Sequence, residues 1–348
     1  MTGNNFTHQL KVYTQLLLDE ESNWGERRES LQQIHRLFAE CGAMDMLQTD
    51  NATDREAVWL EGGYAVSPYS AGMCLFEIVR TRLFVLGLIN AITDLLQLQK
   101  ERPIQVLDAG CGPYALLSLL ASLYFTKEEV QFHLLDIHRS NMQSAGKLIE
   151  SLELSDRFDS YLVADACTFQ WHRQKDLNIV IAETMLNGLR KEPQVALTLH
   201  LAPQLCTNGI FIPEKISVDC RWHDSTGQQR KLEEMNELGD NSIPDYSLFE
   251  EQLCNVLTLT KDSVKDYFLQ SPVAKALIPL HHTSQKDQIR LYTTINVYKQ
   301  YIMHHHDSSL TAPITISQPN KNPLQPGTTI DFWYAIENMP EIKWKAYS

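Results

Sequence analysis

The feature that most constrains the fold is an alternation of short apolar runs with helical patterns between residues 104 and 212. The runs IQVLDAG, VQFHLLDIH, FDSYLVADA and DLNIVIAET have the composition of buried strands, and helical patterns follow the first two. Strands joined through such helices form right-handed crossovers within a mostly parallel sheet. The sequence therefore predicts an α/β fold with a Rossmann-like domain.

The rest of the chain is helical at its beginning and β-rich at its end. Residues 1–70 predict a helical N-terminal segment, and a long helical pattern opens the Rossmann-like domain, which we expect at residues 71–212. Residues 213–348 predict an antiparallel, β-barrel-like domain. A mostly helical insert interrupts that domain at about residues 228–270.

Charge and composition exclude several classes of protein. The 348-residue chain has a formal net charge of −13, so no nucleic-acid partner is expected, because binding to a phosphate backbone needs clustered Lys and Arg. Seven scattered cysteines without a CxxC pair argue against a disulfide framework or a structural zinc site. The N-terminus has no secretory pattern, and Asn90 and Asp94 interrupt the longest apolar stretch. We therefore expect no membrane partner and a cytoplasmic location.

A glycine turn follows the first predicted strand, where Asp108 is followed by Gly110 and Gly112. Glycines allow backbone N–H groups to approach a ligand closely, and ligands of open parallel sheets bind beyond the carboxyl ends of the strands. No GK[ST] follows, which argues against a phosphate-binding P-loop. Ala115 replaces the third glycine of the GxGxxG pattern, so a dinucleotide site is weakened but stays open.

Acidic residues close the next two strands. Asp136 ends the second strand, where it can accept hydrogen bonds from the hydroxyls of a ribose. Asp165 ends the third strand, where it can meet an adenine amino group. Aspartates at such positions also cap the helix that follows, and for either residue alone both interpretations stay open. Ser140 is a second candidate cap for the helix after Asp136.

These motifs resemble those of class I S-adenosylmethionine-dependent methyltransferases. Their first motif has the form [VI]LDxGxG, which VLDAGCG matches, and HLLDIH and VADA follow it. The resemblance implies S-adenosylmethionine as cofactor, with Gly110 and Gly112 against its methionine part and Asp136 on its ribose. Asp108 would then support the turn. No metal is implied.

Two glutamates follow the fourth predicted strand. Glu183 and Glu192 are nine residues apart, and two converging carboxylates suit the planar fork of a guanidinium group. The alternative is that Glu192 only begins the next helix, with Pro193 in its first turn. The spacing alone favours that alternative.

The segment resembles the double-glutamate loop of the protein arginine methyltransferases, in which E-x-M is followed by a second Glu at the same spacing. Glu183, Met185 and Glu192 match this form. The resemblance implies that all three bind the substrate, that both glutamates are catalytic, and that Glu183 also borders the cofactor.

Other segments carry the same resemblance. FEIVRTRLF resembles the family's D-x-VRT helix, which implies that Arg80 binds the cofactor carboxylate. GIFIPEKISV resembles the family's segment that leads from the nucleotide-binding domain into the β domain. The helical insert corresponds to the family's dimerisation arm, which implies a homodimer. Tyr64 and Tyr69 lie where the family has aromatic residues that fold over the cofactor.

Two departures from the family concern the methyl acceptor. Thr311 is the only match to the Thr-His-Trp loop, and Ala182 and Thr184 flank Glu183 where the family has Ser and Trp. We expect methyl transfer to a guanidino nitrogen of an arginine-containing protein, free arginine or a small guanidine. The alternatives are another small-molecule acceptor such as an amine, an NAD-dependent oxidoreductase, and a catalytically silent interaction protein.

Overall fold

A computed structural model describes residues 3–47, 52–172, 176–240, 242, 244–263, 265–268, 272–279, 286–318, 324–336 and 339–347. The helices of this part of the chain are α1 (Gly3–Leu18), α2 (Trp24–Glu40), α3 (Pro68–Met73), α4 (Ile78–Leu98), α5 (Leu116–Ser122), α6 (Arg139–Ser151), α7 (Gln194–Leu201), α8 (Ser225–Glu237) and α9 (Lys265–Phe268). The strands are β1 (Val58–Leu60), β2 (Gly63–Ala65), β3 (Ile104–Ala109), β4 (Val130–Asp136), β5 (Phe158–Val163), β6 (Leu177–Ile181), β7 (Ile210–Ile212), β8 (Lys215–His223), β9 (Glu250–Thr260), β10 (Ala274–Leu277), β11 (Gln288–Tyr298), β12 (Tyr301–Met303), β13 (Ile314–Ser317), β14 (Thr329–Ala335) and β15 (Glu341–Tyr347).

The strands of the predicted alternation form one parallel sheet with the order β5–β4–β3–β6–β7. Every residue of β3 is buried, which is typical of a parallel strand covered on both faces. The predicted α/β fold with a Rossmann-like domain is therefore confirmed. Strand β3 pairs with β4 on one side and with β6 on the other, so the strand order reverses beside it. The crevice beyond the carboxyl ends of these strands is the expected place for a ligand.

The C-terminal part forms antiparallel sheets, as predicted. One sheet has the order β12–β11–β8–β9, with β13 also paired to β11, and another has the order β10–β14–β15. The mostly helical insert predicted at about residues 228–270 is only partly helical, because β9 lies inside it and pairs along β8. Val256, Leu257 and Leu259 of β9 are buried. Pairing with β8 and burial of these side chains outweigh the local helical pattern.

Two helix boundaries also differ from the sequence-based expectation. The helical pattern that begins at residue 71 is divided into α3 and α4, because Glu77 is extended (φ −81°, ψ 93°) and occupies the N-cap of α4. Helix α6 has His138 as its N-cap, so Ser140 lies inside the first turn rather than at the cap. The carboxylate of Asp136 accepts the His138 N–H at 2.8 Å and holds the chain at that position.

Helix α4 joins the parallel sheet to the β domain. Its side chains Phe84, Leu88 and Ile92 are fully buried. The helix also contacts the β domain, because Asn90 Nδ2 donates a hydrogen bond of 3.0 Å to Tyr301 Oη. Its Asp94 accepts a hydrogen bond of 2.7 Å from Tyr298 Oη. Among the described residues, no helix is long and apolar enough to span a membrane.

Candidate active site

A cavity of about 380 Å³ opens beyond the carboxyl ends of β3, β4 and β6. This volume lies at the lower end of the range of roughly 300–1,000 Å³ that is usual for small-ligand sites. The structure brings nine of the residues expected from the sequence to its wall: Arg80, Asp108, Gly110, Gly112, Asp136, Asp165, Glu183, Met185 and Glu192. Residues from five separate segments of the chain therefore converge on one space.

The glycine turn sits against the loop that follows β6. Gly110 and Gly112 both have a left-handed backbone, with φ of 81° and 68°. A Cβ atom at Gly110 would collide with Cγ2 of Thr184, whereas one at Gly112 would only touch Ala71 at 3.6 Å. Gly110 is therefore required by its φ angle and by the close approach of the neighbouring loop.

The aspartates that end β3 and β4 accept hydrogen bonds from the chain itself. Asp108 Oδ2 accepts a 2.6 Å hydrogen bond from Ser118 Oγ, and burial raises the pKa of Asp108 to about 7. The two carboxylate oxygens of Asp136 accept the N–H groups of Gly112 at 2.9 Å and His138 at 2.8 Å. Burial raises the pKa of Asp136 as well. These carboxylates fasten the turns that follow the strands.

Asp165 lies after the end of β5 and lines the cavity. Its Oδ1 accepts the backbone N–H of Cys167 at 2.8 Å, which closes a local turn. The residue is only partly buried and lines the cavity. Both sequence-based interpretations of this residue are compatible with its position.

We call residues 182–193 the acidic loop. Three of its residues, Gly188, Leu189 and Lys191, have positive φ angles between 53° and 68°. The β domain holds this backbone in place, because Thr293 Oγ1 accepts the Gly188 N–H at 2.8 Å and Tyr334 Oη donates to the Leu189 carbonyl at 2.6 Å. Met185, which belongs to this loop, is buried and lines the cavity. The loop is thus shaped from both sides, by the parallel sheet and by the β domain.

Glu183 forms an ion pair with Arg80 inside the cavity. Arg80 Nε donates to Glu183 Oε2 at 2.9 Å, and Arg80 Nη2 donates to the same oxygen. The other oxygen, Oε1, is buried and has no hydrogen-bond partner among the described residues. Burial raises the pKa of Glu183, and the charge of Arg80 opposes that rise. Burial alone would lower the pKa of Arg80, but the charge of Glu183 raises it.

Glu192 lies at the other end of the acidic loop and is only 7% exposed. Helix α7 begins two residues later, with Pro193 at its N-cap and no side-chain cap within the described chain. Glu192 therefore precedes the helix and does not serve as an acid of its first turn, which was the alternative interpretation. Burial, together with the charge of Glu183, raises the pKa of Glu192 to about 8. This shift means that the site disfavours the charged form of Glu192, which a bound cation would stabilise.

The hairpin of β1 and β2 covers the acidic loop. Tyr64 N–H donates to the Lys191 carbonyl at 2.9 Å, and a Cβ atom at Gly63 would lie 2.6 Å from that same oxygen. Tyr64 lines the cavity, and its ring lies 5.4 Å from that of Trp59. Tyr69 is not among the described residues on the wall and instead packs beneath Arg55. Only one of the two expected tyrosines therefore reaches the site.

Comparisons with known proteins identify solved structures with a similar architecture. No protein-family model matches the sequence, and no curated protein matches it. The PRMT1 enzyme–prozyme heterotetrameric complex of Trypanosoma brucei with AdoHcy matches at 14% identity and a TM-score of 0.53, covering 80% of this chain and 98% of that one. A PRMT6 structure matches at 12% identity and a TM-score of 0.52, covering 80% and 99%. A PRMT6–SAH structure matches at 11% identity and a TM-score of 0.50, covering 77% and 97%.

The chain has the fold of the protein arginine methyltransferases. The fold resemblance predicted from the sequence motifs is thereby confirmed, although the identities of 11–14% show the fold alone. Within this arginine methyltransferase fold, the departures at the Thr-His-Trp position can be located. Thr311 is fully buried and is not among the described residues on the cavity wall, whereas Ser309 is on it.

Sequence reasoning missed two residues of this site. Ser309 reaches Glu77, the residue that precedes α4, with its N–H donating at 3.0 Å and its hydroxyl at 2.6 Å. The two positions are separated by 232 residues, and no local pattern connects them. The sequence contained one usable signal, which is an acid three residues before Arg80 in the FEIVRT segment.

Proposed function

We propose that the protein is an S-adenosylmethionine-dependent N-methyltransferase that methylates a guanidino nitrogen. The observation that carries this proposal is the presence of Glu183 and Glu192 on the wall of one cavity with the glycine turn. Glu192 is buried, and Glu183 is partly buried with an Oε1 atom that has no hydrogen-bond partner among the described residues. Burying a carboxylate oxygen without a hydrogen-bond partner costs free energy, and a bound cation would compensate this cost.

The residues present fit the proposed cofactor. Gly110 and Gly112 keep the turn free of side chains, and Asp136 and Asp165 lie where a nucleoside would be held. Arg80 is the cationic residue of the described wall and still has N–H groups beyond those that bind its acidic neighbours, so it can take a carboxylate. Two of the structures with this fold were solved with AdoHcy or SAH, which supports the same choice. When bound, S-adenosylmethionine would supply an electrophilic methyl group.

The chain's own contribution would be to bind and orient the acceptor. Glu183 and Glu192 would accept hydrogen bonds from a guanidinium group and hold one nitrogen towards the methyl group. They would also stabilise the positive charge of the methylated group, which makes electrostatics and orientation the main catalytic terms. Met185 would pack beside the acceptor. The net charge of −13 favours cationic acceptors in general.

The acceptor class within this proposal includes arginine in a protein, free arginine and small guanidines. The tryptophan and histidine expected in the family's Thr-His-Trp loop are absent, so the wall near Ser309 differs from that of the family. The expected homodimer, the cytoplasmic location, the absence of nucleic-acid and membrane partners, and the domain bounds at residues 70 and 212 stay predictions. The heterotetrameric assembly belongs to the trypanosomal complex.

Calorimetric titration tests the cofactor assignment and separates it from a dinucleotide site. We expect S-adenosylhomocysteine to bind the purified full chain with a stoichiometry near one, and NAD to produce no saturable heat. Binding of NAD without binding of S-adenosylhomocysteine would overturn the proposal in favour of an oxidoreductase. Binding of neither compound would favour the interaction protein that keeps the fold without its chemistry.

A further inference from the structure

Glu77 has a side chain that its own helix does not use. It occupies the N-cap of α4, a position where a side chain commonly accepts a backbone hydrogen bond of the first turn, but its carboxylate makes no such bond. Both of its oxygens instead accept hydrogen bonds from Ser309, one from the hydroxyl at 2.6 Å and one from the backbone N–H at 3.0 Å. Burial would raise the pKa of Glu77, but these bonds and the charge of Arg80 lower it below its ordinary value.

Ser309 is itself held in a fixed position. It lies in a single helical turn at Ser309–Thr311 that is closed by a capping box, in which Ser308 Oγ accepts the Leu310 N–H at 3.0 Å and Thr311 Oγ1 accepts the Ser308 N–H at 3.2 Å. The side chains of Leu310 and Thr311 are buried. Because the capping box and these buried side chains anchor the turn, the β domain holds the hydroxyl of Ser309 beside Glu77.

Glu77 in turn contacts the arginine of the cavity. Arg80 Nη1 donates to Glu77 Oε1 at 3.3 Å, while Nε and Nη2 of the same guanidinium donate to Glu183 Oε2. The planar guanidinium is therefore held at two edges by two acids. Its orientation decides which oxygen of Glu183 is occupied and leaves Oε1 without a partner among the described residues.

We propose that Ser309 and Glu77 are positioning residues, which fix Arg80 in the orientation that the cofactor carboxylate and Glu183 both need. This inference rests on the proposed function, because it assigns Arg80 to the cofactor carboxylate. The chain of contacts runs from the β domain through Ser309, Glu77 and Arg80 to Glu183. A turn of the second domain thus sets the geometry at the end of β6, in the place where the Thr-His-Trp loop is missing.

Three variants and two ligands test this inference. Ser309→Ala removes the hydroxyl, Glu77→Gln removes the charge, and Ser309→Thr keeps a hydroxyl at the same place. S-adenosylhomocysteine carries the amino-acid carboxylate, whereas 5′-methylthioadenosine has the same nucleoside and a thioether without it. Affinities are measured by calorimetry on the full chain, and thermal unfolding is recorded for every variant.

We expect Ser309→Ala and Glu77→Gln to weaken S-adenosylhomocysteine binding by about 5- to 30-fold, with the larger loss in Glu77→Gln, because a hydrogen bond to a charged group is lost. Binding of 5′-methylthioadenosine should change by less than about twofold, because the affected contact involves only the carboxylate. Ser309→Thr should restore most of the affinity. If Ser309 and Glu77 had a purely structural role, the variants would weaken the binding of both ligands equally.

Ser225 offers a matched control. Its N–H and hydroxyl donate to the two oxygens of Asp287 at 3.0 and 2.6 Å, the same arrangement as Ser309 and Glu77, and neither residue is among the described ones on the cavity wall. Ser225→Ala should leave both affinities unchanged. If Ser309→Ala binds S-adenosylhomocysteine as tightly as Ser225→Ala does, the positioning role is overturned while the proposed function stands. If the unaltered protein does not bind S-adenosylhomocysteine, the proposed function itself is overturned, and this inference with it.

Discussion

The acidic residues at the two ends of the cavity differ in the hydrogen bonds that their carboxylates accept. At the glycine-turn end, Asp108 and Asp136 accept hydrogen bonds from Ser118 and from the backbone of the turns. At the acidic-loop end, Oε1 of Glu183 is buried without a hydrogen-bond partner among the described residues, and Glu192 is buried beside the same cavity. All four residues lie on the same wall, so the contrast is one of hydrogen bonding rather than of location.

This contrast separates acids that build the site from acids that remain available to a ligand. A buried carboxylate oxygen that accepts internal hydrogen bonds recovers part of its desolvation cost, whereas a buried oxygen without a partner does not. The acids at the loop end are the ones that a cationic ligand would stabilise.

The largest expected effect comes from the loop end. Glu183→Gln keeps the shape of the side chain and removes its charge, so methyl transfer to a guanidine should fall by about a thousandfold or more. Calorimetry with S-adenosylhomocysteine measures the change in cofactor affinity separately, because Glu183 also accepts two hydrogen bonds from Arg80. Glu250→Gln is the matched control, because Glu250 is also buried and pairs with an arginine, Arg221, at 2.7 Å outside the cavity. Full turnover in Glu183→Gln would remove the basis of the contrast.

At the glycine-turn end, the corresponding change should act on binding and stability together. Asp136→Ala should weaken S-adenosylhomocysteine binding by about 1–3 kcal/mol, because charged hydrogen bonds to the ribose are lost. It should also lower the free energy of unfolding, since the N–H groups of Gly112 and His138 lose their acceptor. Calorimetry and urea unfolding measure the two effects. A variant with unchanged affinity would show that Asp136 only fastens the turn.

The pH dependence should come from the loop end as well. The pKa of Glu192 is raised to about 8, so below that pH the side chain is mostly neutral and cannot attract a guanidinium group. The kcat/KM for the acceptor should therefore rise by about tenfold per pH unit below this pKa and level off above it. Glu192→Gln should abolish this rise and leave a flat profile at low activity. A rise that persists in Glu192→Gln would assign it to another group.

The smallest effect should concern Asp108, whose carboxylate accepts a hydrogen bond from Ser118. Ser118→Ala removes the 2.6 Å hydrogen bond and should lower the free energy of unfolding by about 1–2 kcal/mol. Because Ser118 lowers the pKa of Asp108, its removal should raise that pKa further. Ser122→Ala is the control on the same helix, since its hydroxyl donates only to the Leu119 carbonyl. Equal unfolding curves for the two variants would contradict a special role for the bond to Asp108.

The same division explains what the sequence could predict. Asp108, Gly110 and Asp136 follow strands, and a parallel sheet brings the ends of its strands to one edge, so local patterns were sufficient. Glu183 and Glu192 could be recognised through a short motif, but their burial could not. The contact between Ser309 and Glu77 joins positions 232 residues apart, and tertiary packing alone creates it.

Strand pairing also explains why the insert predicted to be mostly helical is only partly helical. Strand β9 has an apolar spacing that a helix could share, and pairing with β8 decides between the two structures. The N-terminal aromatics show the same limit, since only the hairpin geometry places Tyr64 on the wall and leaves Tyr69 beside Arg55. Local sequence predicted the edge of the sheet well and the second domain's contribution to the site poorly.

The most direct measurement is transfer of an isotopically labelled methyl group from S-adenosylmethionine, followed by mass spectrometry of the products. The purified full chain is offered free arginine, an arginine-rich peptide and a panel of amines, with Glu183→Gln assayed in parallel. Our account predicts a labelled guanidino nitrogen in at least one arginine-containing acceptor and its loss in the variant. Binding of S-adenosylhomocysteine combined with label only on amines, or on no acceptor, would contradict the assignment of the two glutamates to a guanidinium group.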